Sequence, residues 1–203
     1  MEIIETARQV METELKAIKS VSTTIGEDFE AAVKAMYECK GRVVVSGLGK
    51  SGHIGKKLAA TLSSTGTPSF FVHATEALHG DLGMITKDDI VLAISNSGET
   101  KELLNMIPSV RIIGAKIISI TGSKESTLAK CSDINIEVKV ENEADPLNLA
   151  PTSSSTATLA VGDSIAITLS VMKGFKEENF AVFHPGGSLG KKLLEKHKLE
   201  DII

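Results

Sequence analysis

The sequence predicts an α/β protein: a single three-layer domain with a central, mostly parallel five-stranded sheet flanked by helices. Short apolar runs rich in Val and Ile lie at 43–45, 70–72, 90–94, 117–120 and 134–138, and strands that are apolar on both faces belong to a sheet covered on both sides. Segments long enough for helices lie between most of them, at 52–64, 100–113 and, shorter, 126–130. Strands alternating with helices give a parallel sheet covered on both sides. A chain of 203 residues with 42% hydrophobic content has about one domain's length and enough apolar mass for a core.

Taken in order, 1–40 is N-terminal helix. Ile4, Ala7, Val10, Met11, Leu15 and Ile18 recur at helical spacing, a break falls near 20–26, and Phe29, Val33 and Met36 resume the pattern. After Gly41 the period changes, and 41–140 forms the sheet core. Residues 150–203 return to helix and close on a helix at 187–198. Within them, 157–172 is small and apolar, but Asp163 sits in its middle beside Thr158, Ser164 and Thr168. It is also shorter than the ~20 residues of a membrane span, so it reads as a buried core helix. No repeat, low-complexity tract or linker divides the chain.

Composition removes several classes of function. Aromatics make up 3% with no Trp, too few for stacking platforms on single-stranded nucleic acid. A formal charge of −4 leaves no general basic footprint for DNA or RNA, while a local ring of donors can still bind a small anion. Cys39 and Cys131 belong to no C-x-x-C pair and fit reduced thiols in the cytoplasm. The acidic, amphipathic first ten residues do not read as a signal peptide.

The loops after three strands share a chemistry: Ser46-Gly-Leu-Gly-Lys-Ser51, Ser95-Asn-Ser-Gly-Glu-Thr100 and Thr121-Gly-Ser-Lys-Glu-Ser126. Hydroxyls and free backbone N–H groups at a helix start make a cradle for phosphate. Any one such loop is equally well a helix cap; several on one sheet edge point to a ligand. The first loop also contains G-x-G-x-x-G and ends in Gly-Lys-Ser. A P-loop needs a glycine where this chain has Val44, inside the first strand. A dinucleotide site needs an acid ~20 residues on, where the second strand instead ends in Val72-His73.

The Ser95–Thr100 segment, after a strand and opening a helix, resembles the signature of the SIS (sugar isomerase) domain. Gly47-Leu-Gly-Lys-Ser-Gly-His53, Thr65-Gly-Thr-Pro-Ser-Phe-Phe-Val-His73, His79-Gly-Asp-Leu-Gly83, Leu149-Ala-Pro-Thr-Ser153 and His184-Pro-Gly-Gly187 are similar to arabinose-5-phosphate isomerases, in the expected order from Val43 to Leu193. The resemblance implies the SIS fold over 1–203, in the short form without the tandem CBS domains of many relatives. It implies an aldose–ketose isomerase for D-ribulose 5-phosphate and D-arabinose 5-phosphate. The pathways implied are lipopolysaccharide or capsule precursor synthesis, or pentitol use. The competing readings are an isomerase of hexulose 6-phosphate or sedoheptulose 7-phosphate, and a phosphosugar sensor without catalysis.

Moving a proton between C1 and C2 takes a base, an acid at the carbonyl oxygen and a clamp on the remote phosphate, with no cofactor. By resemblance the catalytic set is Lys50, Glu102, Glu143 and His184. The substrate-binding set is Ser51, Gly66, Thr67, His73, His79, Ser95, Ser97 and Thr100. Which of Glu102, Glu143 and His184 is the base stays open, since Glu102 is equally a first-turn acid favoured by the helix dipole. His73 is a candidate ligand for an inhibitory zinc, because zinc inhibits such enzymes. SIS domains pair, so a homo-oligomer, a dimer of dimers, is expected, with a second subunit helping to complete the pocket. No nucleic-acid or membrane partner is expected.

Overall fold

The computed structural model describes residues 2–197. Helices α1 (Ile3–Thr24) and α2 (Glu27–Glu38) precede β1 (Val43–Gly47), α3 (Gly49–Ser64), β2 (Ser69–His73), the one-turn α4 (Ala74–Ala77) and a 3-10 turn (Asp81–Met84). Then come β3 (Ile90–Ser95), α5 (Lys101–Ile113), β4 (Lys116–Thr121), α6 (Thr127–Lys130), β5 (Ile134–Glu137), α7 (Ser153–Met172), α8 (Glu177–Phe183) and α9 (Ser188–His197). Residue 198, the expected last residue of the final helix, lies outside the described residues.

All four strand pairings are parallel, in the order β2-β1-β3-β4-β5, so the sheet is wholly rather than mostly parallel. Successive side chains point to opposite faces. Val43, Val45, Leu92 and Ile118 pack under α2, α3 and α7, while Val44, Val91, Ala93 and Ile117 pack under α4 and α5. The chain steps from β1 outward to β2, then back past β1 to β3. Loops leaving the carboxyl ends of β1 and β3 therefore diverge and open a crevice between them.

Local chemistry moves some boundaries. The break between α1 and α2 is confined to Ile25 and Gly26, because Ser22, Thr23 and Thr24 donate their hydroxyls to carbonyls three residues back and stay helical. Helix α3 begins at Gly49 and so takes in most of the glycine loop. Gly52 rests directly on the carbonyl of Gly47, where a side chain would crowd the backbone. The glycine pattern is thus accounted for by close helix–strand packing.

Helix α7 is long and apolar enough to cross a membrane by length and composition. Here it packs against α1, α2 and α3, with Ala157, Val161, Ile165 and Leu169 buried. A Lys57–Asp163 ion pair ties it to α3, and Thr156 donates to Glu14 of α1 at 3.1 Å. The apolar stripe of α1 is only partly covered. Ala17 and Val21 are buried, whereas Ile3, Ile4, Met11 and Leu15 are each at least 65% exposed.

Candidate active site

A pocket of about 330 Å³ opens at the β1/β3 switch point, lined by Lys50 and Ser51 after β1, Ser95, Ser97 and Thr100 after β3, and Ser154, Ser155 and Thr158 on α7. Three helix N-termini meet there. The first intrahelical bonds are Gly52 N to Leu48 O in α3, Leu104 N to Thr100 O in α5 and Thr156 N to Thr152 O in α7. None of the three has a cap from its own N-cap side chain. Free N–H groups and the positive ends of the dipoles make this an anion site.

The Ser95–Thr100 loop is built to donate. Buried Ser95 shares a 2.9 Å hydrogen bond with the Thr100 hydroxyl and accepts from Gly98 N at 3.1 Å. Ser97 Oγ accepts from Glu99 N at 3.2 Å, which leaves its proton free. Gly98 turns the chain at φ +66°, and a Cβ there would overlap the Ser126 hydroxyl. Glu99 faces away and accepts from Thr127 N at 2.8 Å. That bond, followed by the Thr127 hydroxyl, holds its carboxyl below the ordinary glutamate range.

The α7 wall differs, because an anion already occupies its positive end. Glu143 Oε2 accepts from Thr152 N at 2.8 Å, the Thr152 hydroxyl at 3.1 Å and Ser154 N at 3.1 Å, while Oε1 accepts from the Ser154 hydroxyl. Burial pushes this carboxyl up, but the hydrogen bonds from Ser154 and Thr152 outweigh it and hold it below the ordinary value. Ser155 donates back to the carbonyls of Pro151 and Thr152. The pocket is therefore polar in two senses: donors at α3 and α5, and at α7 the Ser154 and Ser155 hydroxyls with committed protons.

Of the residues singled out in the sequence, Lys50, Ser51, Ser95, Ser97 and Thr100 line the cavity. Glu102 lies half-buried in the first turn of α5, and Glu143 stands behind Ser154 without lining the cavity itself. His73 ends β2 beside Gly47. Its Nδ1 accepts from Thr75 N at 3.3 Å, which puts the ring proton on Nε2. His79 is exposed in the turn after α4. Among the described residues no group of three or more His, Cys, Asp or Glu is arranged to hold a metal.

Gly66, Thr67 and His184 sit elsewhere. Gly66 and Thr67 lead into β2 at the amino edge of the sheet, a strand length of roughly 16 Å from the crevice. There Lys173 donates to the Thr67 hydroxyl at 2.9 Å and to the Gly66 carbonyl at 3.4 Å. Burial pulls the Lys173 ammonium below the ordinary lysine value. His184 stacks on Phe180 with ring centroids 3.8 Å apart, and its Nδ1 lies 2.9 Å from the Phe180 carbonyl. Neighbouring Phe183 packs on Phe175, and Phe175 covers Gly66. His184 is thus near the C-terminal end of α7, whose 20 residues span about 30 Å from the pocket.

The third hydroxyl-rich loop does not line the pocket, contrary to expectation; its hydroxyls face partners within the loop and on β5. Thr121 donates to Ser123 O or Asn135 Oδ1, and Ser126 caps α6 through Ala129 N. Its place is taken by Ser154, Ser155 and Thr158; the sequence reading put Thr158 in a core helix at 157–172 and gave Ser154 and Ser155 no role. The run Thr152-Ser-Ser-Ser-Thr156 is the signal that marked them.

A parallel sheet whose switch point holds a cradle of hydroxyls and helix N-termini defines an α/β domain with an anion-binding crevice. Residues 36–168 match the SIS domain, and the chain belongs to that family. It is 53% identical over all 203 residues to arabinose 5-phosphate isomerase KdsD of Pseudomonas aeruginosa, covering 62% of that protein. Against KdsD of Escherichia coli K12 it is 52% identical over 190 residues, 94% of this chain and 58% of that one. The chain thus spans about three fifths of these relatives. Among solved structures, an Escherichia coli CFT073 protein in complex with arabinose 5-phosphate superposes with a TM-score of 0.89 at 49% identity, over 91% of this chain and 100% of that chain.

Proposed function

We propose that this protein is an aldose–ketose isomerase interconverting D-ribulose 5-phosphate and D-arabinose 5-phosphate. The observation that carries the reading is the two-sided pocket, set in a chain more than half identical to KdsD along its whole length. The phosphate sits on the free N–H groups of α3 and α5, with Ser97 and Thr100 donating and Lys50 supplying charge. The sugar then extends toward α7 and Glu143. Binding energy from the phosphate fixes C1 and C2 for proton transfer through an enediolate. Glu102, Glu143 and His184 are the proton movers. Incubating the protein with ribulose 5-phosphate and identifying the product tests this. Arabinose 5-phosphate is expected, and turnover only of hexulose 6-phosphate or sedoheptulose 7-phosphate would overturn it.

His184, Gly66 and Thr67 reach a pocket in this scheme only from a second copy, which supports a homo-oligomer, a dimer of dimers, with sites shared between subunits. The exposed Ile3, Ile4, Met11 and Leu15 supply apolar surface for such packing. The free thiols Cys39 and Cys131 support a reducing, cytoplasmic setting. The product then feeds precursors of lipopolysaccharide or capsule.

Two outcomes follow here. Ser97→Ala raises KM about tenfold, the worth of one charge-assisted hydrogen bond, with kcat little changed; unaltered kinetics in both Ser97→Ala and Thr100→Ala place the phosphate elsewhere. Activity survives exhaustive EDTA treatment, because protein groups carry the proton. Added Zn²⁺ inhibits, and His73→Ala blunts the inhibition through loss of an imidazole ligand. Turnover lost on chelation and restored by a divalent metal refutes this.

A further inference from the structure

We propose that Ser154 is a catalytic residue, its hydroxyl relaying protons between the sugar's oxygens and the Glu143 carboxylate. The inference rests on the isomerase reading above and goes beyond it. From ribulose 5-phosphate, isomerisation moves one hydrogen from C1 to C2 and, separately, one hydroxyl proton from O1 to O2. The second movement needs a group in contact with the substrate that both takes and gives a proton.

The geometry separates Ser154 from its neighbours. Glu143 does not line the pocket, and Ser154 does. Three donors already fill Glu143 Oε2 and hold the loop to α7, whereas Oε1 receives the Ser154 hydroxyl alone. Hydroxyls near a helix start commonly bond back to a carbonyl one turn earlier, as Ser155 does. Ser154 gives its proton to a carboxylate instead, and its lone pairs remain to accept from a ligand. Ser154 lines the pocket with only 1% of its surface exposed.

The step balances without a co-reactant. A substrate O–H passes its proton to Ser154 Oγ as the Ser154 proton passes to Glu143 Oε1. Two O–H bonds break, two form, and negative charge moves from the carboxylate to the sugar oxygen. The reverse shift delivers a proton to the other oxygen and restores both residues. The hydrogen bonds that hold Glu143 ionised near neutral pH keep it ready to accept. The loop's other acids stand apart: Asp145 accepts from Leu149 N and Ala150 N, Glu141 is exposed, and no neighbouring charge contributes to the Glu143 shift.

The test compares Ser154→Ala and Ser154→Thr with the wild type on ribulose 5-phosphate across pH, with melting curves as a check on folding. Ser154→Ala lowers kcat about 100-fold with KM within about threefold, and Ser154→Thr, which keeps the hydroxyl, restores most of it. Losing a donor to the charged form raises the Glu143 pKa, so the acid limb of kcat/KM moves to higher pH in Ser154→Ala and returns in Ser154→Thr. An active wild type with normal kcat in Ser154→Ala sinks the relay and leaves the isomerase reading intact. So does a loss of kcat in which C1 deuterium exchange in D₂O falls in parallel, since a relay acting on the oxygens leaves carbon exchange to another base. A wild type inactive on ribulose 5-phosphate sinks the isomerase reading and the relay with it.

Discussion

His184→Ala lowers kcat for ribulose 5-phosphate by at least about 100-fold, although His184 lies a helix length from the pocket of its own chain. The substitution removes a ring stacked on Phe180 and a hydrogen bond to its carbonyl, worth about 1 kcal/mol. Its structural cost is therefore confined to the α8–α9 hairpin, and the sheet melts normally. KM changes little, since the phosphate cradle on α3 and α5 is untouched. Mixing separates supply from a partner from supply within one chain. If each site combines one subunit's pocket with its partner's histidine, His184→Ala and Glu143→Gln chains, each nearly dead alone, form mixed dimers with one intact site. Random reassociation then recovers about a quarter of wild-type activity. No recovery after verified subunit exchange means that His184 serves its own chain or none.

That arrangement marks where sequence reading stops. The strands were legible because Val43–Val45 and Ile90–Ile94 are apolar on both faces, which only a doubly covered sheet explains. The pocket edge was legible as well, since Ser95–Thr100 must follow β3 and open α5. Helix α4 and the 3-10 turn were not, because four residues carry no periodicity. The loop at 121–126 was misjudged for a different reason. Composition names hydroxyls but does not say how they are engaged: Thr121 donates within the loop, and Ser126 accepts from Ala129 N as the cap of α6. Ser154 shows the converse, since it is one of three consecutive serines just before the helix read at 157–172 and only the bond to Glu143 sets it apart. Local motifs identified His184, Gly66 and Thr67, but which edge of the sheet they occupy depends on the length of α7 and the packing of Phe175.

Glu143→Gln lowers kcat by at least about 100-fold, and here the structure alters what its loop position alone implies. A loop acid away from the Val and Ile core is expected to leave the melting curve unchanged on replacement. Glu143 instead accepts four hydrogen bonds and ties its loop to the start of α7. Gln keeps one acceptor, so the variant loses about 1–2 kcal/mol, the scale of a helix cap, and melts a few degrees lower. The folded carboxyl is held below its ordinary value of 4.5. The stability it contributes is therefore fully present above that value and is lost as pH falls through the lower folded one. Wild type and variant converge in stability below that window and differ above it. For the chemistry, the decisive quantity is deuterium exchange at C1 of ribulose 5-phosphate in D₂O, compared with turnover. Glu143 acting on oxygens through Ser154 leaves carbon exchange to another base. The enediolate still forms in Glu143→Gln, slowly, and returns to labelled ketose because its oxygen proton cannot be passed on. The ratio of exchange to turnover therefore rises in Glu143→Gln, while in Glu102→Gln both fall together if Glu102 takes the carbon proton. A parallel loss of exchange and turnover in Glu143→Gln makes Glu143 the carbon base itself and leaves Ser154 no part in the proton's route.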